Sequence, residues 1–509
     1  VDSVLTNVVV NSDPGVNLLA MVPALLLTGL AMAAGLLEVF WPASRRRDIG
    51  FIAGVSLLGI ALLTAIIQPP PFDQQLVLGG MYRFDALSQF FSVVALVAAG
   101  IVCLLTLDVP QLGKMGEFYA ILIVATLGAC LMAGASDLIM AFLALETLSI
   151  SLYVLTGFLV RDGRSSESGM KYFLFGAFMS AILLYGFSLL YGFTGSTNFY
   201  AIGARLADIF SGRQAPALET LLPVLLALVM VIAGFGFKIS AVPFHFWTPD
   251  VYEGAPTSVT AFVSVASKAA SFALMMRLAL IAFQGDDPTR FWVQLFAILA
   301  VVSMTVGNLF ALVQGNLKRL LAYSSIAQAG YTLIGVAAVA AQPSSQPGLG
   351  VAAVAFYMAM YTLTNLAAFG VVIVYSNVTG AEKISDFAGL SRRNLGLALV
   401  MTVALLSLAG VPPAAGFFGK FFLFRAAVDA NLTWLAVAGV LNSMIALYYY
   451  LIVIKVMFVD RSETENQPAP VGNAAVWALG IATIGVILLG TFFATPIFDW
   501  AVQAAQGLF

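Results

Sequence analysis

Long apolar runs separated by short polar stretches make up most of this chain. A run of about 20 apolar residues can cross a hydrocarbon core as a helix. Fourteen such runs are present, near 16–40, 50–68, 85–107, 117–135, 138–160, 169–194, 218–243, 257–283, 291–314, 318–341, 350–376, 395–427, 432–458 and 472–497. Two connections carry structure signals of their own. Gln68–Arg83 has a proline run and then Gly79-Gly80 flanked by apolar residues, which predicts a small hairpin. Thr194–Leu218 contains FYAIGARLADIF, in which the spacing of Ile202, Leu206, Ile209 and Phe210 predicts a short amphipathic helix lying on the surface. The expected fold is all-α and polytopic, with about 14 transmembrane helices.

Composition agrees with this pattern: 61% of residues are hydrophobic and 9% charged, against ~25% charged in soluble domains. The formal net charge is −2, so no basic surface argues for nucleic acid. Cys103 and Cys130 lie far apart in apolar runs, without the spacing of a disulfide framework, a zinc site or an iron–sulfur site. The first residues lack a basic stretch and a small-residue cleavage site, so the first span is expected to act as the insertion signal. Charge in the short loops sets the direction. Arg45, Arg46, Arg47, Lys114, Arg161, Arg164, Lys318, Arg319, Lys383, Arg392, Arg393, Lys455 and Arg461 collect on one side, expected to be cytoplasmic or stromal. Arg83, Arg205, Arg213, Arg290 and Arg425 fall on the other, with both termini.

Charges also occur where hydrocarbon should be. In GFGFKISAVPFHFWTPDVYEGAPTSVTAFVSVASK (Gly234–Lys268), glycines loosen an apolar helix, Lys238 follows, then Pro243 and His245, the single histidine, and Lys268 lies well inside the next helix. A charge at bilayer depth costs at least ~2.5–3.5 kcal/mol, and an interrupted helix with an ionisable group at the break points to an ion path. Leu408–Phe424 (LAGVPPAAGFFGKFFLF) repeats the pattern with Lys420 just past its break. Two interrupted helices predict two structural repeats, at 115–285 and 290–460, preceded by helices 1–3 (1–114) and followed by helix 14 (461–509). Their offset is five spans, and an odd offset requires inverted topology.

Glu146 stands about eight residues into span five, where an intramembrane carboxylate is functional by default; the competing reading is an acid satisfied by neighbouring hydroxyls such as Ser149. Lys238 and Lys420 are too deep to snorkel comfortably, and Lys268 deeper still. Lys171, near the start of span six, suits snorkelling as well as function. His245, with an ordinary pKa near 6.5, suits either a proton relay or a satisfied polar group. Asp85, Asp137 and Glu38 read as interfacial caps. Taking an ammonium out of water favours its neutral form, and a nearby carboxylate restores the charged one, so a Glu146–Lys238 pair of variable separation would switch a proton on and off. No GxGxxG after a strand, Walker loop, HExxH or nucleophile elbow is present, so no redox or hydrolytic centre is visible in this polypeptide.

FKISAVPFHFWTPDVYEGAPTSVTAFVSVASK, NLKRLLAYSSIAQAGY (Asn316–Tyr331) and GVPPAAGFFGKFFLF strongly resemble the antiporter-like membrane subunits of respiratory complex I. Within that group WTPDVYEGAP, ETLSISLYVLTGF and MKYFLFGAFMSAILLYG resemble subunit N; the sister subunits L and M and the cation/proton antiporters typically read WLPDAH…AP. The resemblance covers nearly the whole chain from span three onward. It implies a proton-translocation path through Glu146, Lys171, Lys238, His245, Lys268 and Lys420. It also implies no cofactor in this chain, with flavin, iron–sulfur clusters and the quinone site in partner subunits. The implied partners are the antiporter-like subunit M and small K- and J-type subunits, in an inner (plasma) or thylakoid-type membrane. Gln328 departs from many bacterial relatives, which carry histidine there, so no protonatable group is expected at that position. The electron donor, NADH or ferredoxin, stays open, and a cation/proton antiporter would use the same lysines.

Overall fold

A computed structural model describes residues 10–210, 218–283, 286–341, 348–463 and 467–506; the first nine residues and Arg213, used above, lie outside it. The described chain contains 13 helices long and apolar enough to cross a membrane, with Leu395–Ala409 as a shorter apolar helix. In chain order they are α1 (Pro14–Phe40), α2 (Arg46–Ile66), α3 (Ala86–Thr106), α4 (Gly116–Gly134), α5 (Leu138–Thr156) and α6 (Gly163–Thr194). After the lateral α7 (Phe199–Phe210) come α8 (Leu218–Ile239), the short α9 (Trp247–Gly254), α10 (Thr257–Phe262) and α11 (Lys268–Ile281). The second half has α12 (Asp286–Ala311), α13 (Leu317–Ala340), α14 (Leu349–Thr379), the single turn α15 (Leu390–Arg393), α16 (Leu395–Ala409), α17 (Ala415–Asp429), α18 (Thr433–Phe458), α19 (Asn473–Thr491) and α20 (Ala494–Gln506). Helices α16 and α17, separated by Gly410–Ala414, occupy the run 395–427 expected as one further span.

Polar residues at the run boundaries start these helices. Asp85 accepts from the Ser88 backbone amide in a capping box on α3, Asp137 caps α5 through Ile139, and Asp162 caps α6. Glu38 caps a neighbour instead of its own helix: its carboxylate accepts from Glu117 N at 2.6 Å, in the first turn of α4.

Alternate loops meet on the same side. Arg47 pairs with Asp108, Arg164 with Glu382 (2.7 Å), and Arg393 Nε donates to Gln467 O (2.9 Å), all on the arginine-rich inner face. On the outer face the hairpin pairs Leu76 with Arg83 and Val77 with Tyr82, and Ser136 N donates to Met81 O at 3.0 Å. The hairpin is thus as expected, with Gly79 and Gly80 at φ 68° and 88° in its turn. The lateral helix also forms, but Ile202, Leu206 and Phe210 pack on the bundle, which offers them more apolar contact than the interface does.

Burial separates the centre from the rim. The whole apolar window of the α10–α11 segment is buried, against 22% of that of α1. That central helix contains a π turn, Val263–Ser267, directly before Lys268; such bulges widen a helix locally and are common at functional sites. A further helix, α20, was hidden in the chain's last apolar stretch. It lies on the outer face, where Phe498 stacks on Phe422 at 3.8 Å and Trp500 packs on Phe90 at 4.7 Å.

Close helix pairs depend on glycine. A Cβ on Gly307 of α12 would lie 2.6 Å from Ala327 N and 2.9 Å from Tyr323 O on α13. Gly307→Val should therefore cost ~1–3 kcal/mol of packing and lower the thermal aggregation midpoint of the purified protein. Gly59→Val, at a position with nothing within 4 Å, should leave that midpoint unchanged.

Candidate functional site: buried lysines along two broken helices

The helix that begins as α8 ends at Ile239 because Ser240 adopts φ 65°, outside the helical region. The freed backbone is held by side chains: Val242 N donates to Ser303 Oγ (2.9 Å), and Trp247 Nε1 donates to Phe237 O (3.0 Å). The second break turns at Gly410, φ 87°. Gly416 beyond it admits no side chain, since a Cβ there would fall 1.7 Å from Ser407 O. Each break leaves a helix C-terminus in the protein interior, and its unpaired carbonyls carry partial negative charge.

Lys238 is in the last turn of α8 and only 4% exposed. Its Nζ donates to Ser149 Oγ (2.6 Å) and Tyr153 OH (3.2 Å), both on α5. Lys268, 1% exposed, donates to Ser325 O (2.8 Å) and Ser325 Oγ (2.6 Å) on α13. Tyr361 OH donates to the same Ser325 Oγ at 2.8 Å. Lys420, 4% exposed, donates to Ala409 O (3.0 Å), a terminal carbonyl of α16, and lies 4.3 Å from the centre of the Tyr331 ring. Gln328, one turn along α13 from Ser325, donates to the adjacent Leu408 O at 3.1 Å. It also accepts from Tyr357 OH. The end of α16 thus joins Gln328 to Lys420, and α13 joins Gln328 to Lys268.

Among the described residues none of these three lysines has a carboxylate within ion-pair distance. Glu146 accepts from Ser180 Oγ on α6 at 2.6 Å and does not touch Lys238. The direct pair expected from residue counting is absent because Ser149 and Tyr153, one and two turns further along α5, are the residues at the depth of Lys238. His245 is buried between the two halves of the broken helix, and its Nδ1 has no hydrogen-bond partner among the described residues.

Lys171 belongs to a different cluster. Its side chain is 38% exposed, and its Nζ pairs with Glu167 Oε1 and Asp250 Oδ2, both at 2.8 Å. Arg319 completes the group at the inner face, reaching Asp250 (2.8 Å) and Glu253 (3.0 Å). Burial pushes the Asp250 carboxyl up, but hydrogen bonds from Lys171 and Arg319 outweigh it and hold the group below the ordinary carboxylate range. An adjoining cavity of about 180 Å³ is lined by Asp162, Arg164, Glu253, Glu382 and the buried Lys318.

The sequence profile of a family described as "NADH:quinone oxidoreductase/Mrp antiporter, TM" matches residues 135–446, the part that holds every group above. NADH-quinone oxidoreductase subunit N of Moorella thermoacetica is 41% identical over 495 residues, covering 97% of this chain and 99% of its own. This chain belongs to the subunit N family. A chain of respiratory complex I from Thermus thermophilus with bound aureothin is similar in structure, with TM-score 0.73 and 31% identity over 94% of this chain and 98% of that one. A chain of the Mrp complex from Dietzia sp. shares the fold, at TM-score 0.78 and 20% identity over 96% and 97%.

The subunit N motifs carry the lysines, but not all of their partners. Ser149, Tyr153, Ser325 and Leu408 lie inside stretches quoted above and Tyr361 outside them, but no spacing rule assigns any of them to a particular lysine. The shorter of the two Lys238 hydrogen bonds should matter more. Ser149→Ala is expected to slow quinone-linked turnover several-fold and Tyr153→Phe less so; steady-state rates of the assembled complex would check this order.

Proposed function

We propose that this chain is a proton-translocating subunit of the membrane arm of an NADH (or ferredoxin):quinone oxidoreductase. The observation that carries the reading is the row of buried lysines, Lys238, Lys268 and Lys420, bound to hydroxyls and carbonyls with no counterion among the described residues. The hydroxyl and carbonyl oxygens around each amine can accept or relay a proton. Lys→neutral-amine transitions along the row therefore move charge through the protein without any redox group in this chain. Flavin, iron–sulfur clusters and quinone belong to partner subunits. Those partners include an antiporter-like M-type subunit and small K- and J-type subunits.

Within this reading Glu146 adjusts the charge state of Lys238 through the short gap spanned by Ser149. His245, with an unpartnered nitrogen beside the break, passes protons between the Lys238 and Lys268 regions. Lys171 with Asp250 and Arg319 gathers protons at the inner face, which is cytoplasmic by its charge bias. The chain is read as two inverted repeats, 115–285 and 290–460. The close contacts of Gly128 with Ala144 and Leu148 recur as Gly307 with Tyr323 and Ala327, each 179 residues later (128 to 307, 144 to 323, 148 to 327). In that register Glu146 corresponds to Ser325, and Ser149 to Gln328. A cation/proton antiporter would need the same lysines; the subunit N relatives favour the oxidoreductase.

Lys238→Ala in the complete reconstituted complex should lower quinone reduction and proton uptake into vesicles together, because a blocked path stalls a coupled machine. Lys238→Arg should not restore either, since a guanidinium does not release its proton at accessible pH. A Lys238→Ala complex that pumps at the parental proton-to-electron ratio would remove this residue from the path.

Glu146→Gln should assemble and pump little, and Glu146→Gln with Lys238→Met should be no worse than the worse single variant. Additive losses in that cycle would separate the two residues.

A further inference from the structure

Helix α14 sends side chains to three places on the lysine row. Tyr361 OH donates to Ser325 Oγ at 2.8 Å, the hydroxyl that binds Lys268. One turn further on, Asn365 Nδ2 donates to Ser264 Oγ at 2.6 Å, inside the π turn that precedes Lys268. Its neighbour Thr364 shares a hydrogen bond of 3.0 Å with Ser407 Oγ, in the last turn of α16. All are buried: Asn365 is 1% exposed, and Ser264, Thr364 and Ser407 are 0%.

Both contacts reach irregular backbone. Ser264 Oγ donates on to Ala261 O at 2.8 Å, a carbonyl just ahead of the π turn. Ser407 Oγ accepts from Gly416 N at 3.1 Å, so it spans the second break to the first turn of α17. Lys420 follows four residues later on that helix. A continuous line therefore runs from Ser264 to Asn365, through the backbone of α14 to Thr364, and on to Ser407 and Gly416.

Satisfying buried hydroxyls does not require this arrangement. Thr64, Thr106, Thr126 and Ser271 each donate to the carbonyl four residues back on their own helix. Thr364 does not: among the described residues its hydroxyl meets Ser407 Oγ and, at 3.7 Å, the Met360 sulfur. The π turn also matters to the lysine beside it. It is wider than an α turn by one residue, and its return to α geometry would swing Lys268 by roughly 100° relative to α10.

We propose that Thr364 and Asn365 are positioning residues that interlock the π turn before Lys268 with the second break before Lys420. The two amines are then aimed together, and a displacement at one site is carried to the other by the rigid helix between them. The inference rests on the proton-translocating role proposed above.

The test is amide hydrogen–deuterium exchange of the complete complex, read by mass spectrometry in peptides covering 257–268 and 408–420. Asn365→Leu keeps the bulk of the side chain and removes its bond to Ser264. It should speed exchange several-fold at 408–420 as well as at 257–268. It should also lower quinone-linked turnover about fivefold, the size of one lost buried hydrogen bond. NADH oxidation by a soluble artificial acceptor, which needs only the partner subunits, should be unchanged. Thr364→Val, nearly isosteric, should transmit in the other direction, with faster exchange at 257–268 as well as at 408–420. A merely structural role confines each change to the side of its own lost bond, and that result in either variant overturns the interlock. Should Asn365→Leu not assemble, Thr364→Val is read alone. Failure of both to assemble would assign the pair to folding and equally overturn the proposal. Proton uptake into vesicles separates the two ideas. A parental complex that turns over without moving protons refutes the translocation reading, whereas one that pumps while exchange changes only locally refutes only the interlock.

Discussion

An ammonium group kept inside hydrocarbon must be given oxygen atoms, and a continuous helix offers only its hydroxyls and the second lone pair of carbonyls already bonded within it. Lys238 and Lys268 use such oxygens of α5 and α13, and two breaks in the helices add freed carbonyls. The interruption after Ile239 and the one at Gly410–Ala414 turn mid-membrane carbonyls and side chains toward the interior. Lys420 binds a carbonyl at the end of α16, and Gln328 binds the carbonyl beside it. The wholly buried α10–α11 segment lies at the centre of the bundle.

Among the described residues the row has no direct lysine–carboxylate pair, and this has a chemical consequence. A buried ion pair holds both partners charged and resists change. Hydroxyl and carbonyl partners hold an ammonium less firmly and can also accept from or donate to a neutral amine through their own rotation. Ser149, Tyr153 and Ser325 thus fit groups whose charge must alternate, whereas the fully paired Asp85–Arg277 fits groups whose charge must stay fixed.

The two faces of the molecule differ in the same sense. At the inner face Lys171, Asp250, Glu253 and Arg319 remain partly exposed beside a polar cavity. At the outer face, the hairpin, α7 and α20 cover the ends of the crossings, and the charges beneath them are fully buried.

Long-range order followed directly from the chain wherever a local pattern carried it. Apolar run length determined the number of crossings, Gly79-Gly80 the hairpin, and the Gly/Pro interruptions around Lys238 and Lys420 the two breaks, because each depends on neighbours in sequence. Motif resemblance, covering spans three onward, likewise pointed to the family. Tertiary structure alone decided what each charge touches. Glu146 was expected against Lys238, but helical rise placed Ser149 and Tyr153 at that depth instead. Lys171 proved to be a surface partner of Asp250, 79 residues away. Asp85 read as an interfacial cap, and only the fold brings it against Arg277, 192 residues away. Such pairings join residues from different crossings, whose rotation and depth are set by the packing of the whole bundle and leave no periodic trace in the sequence.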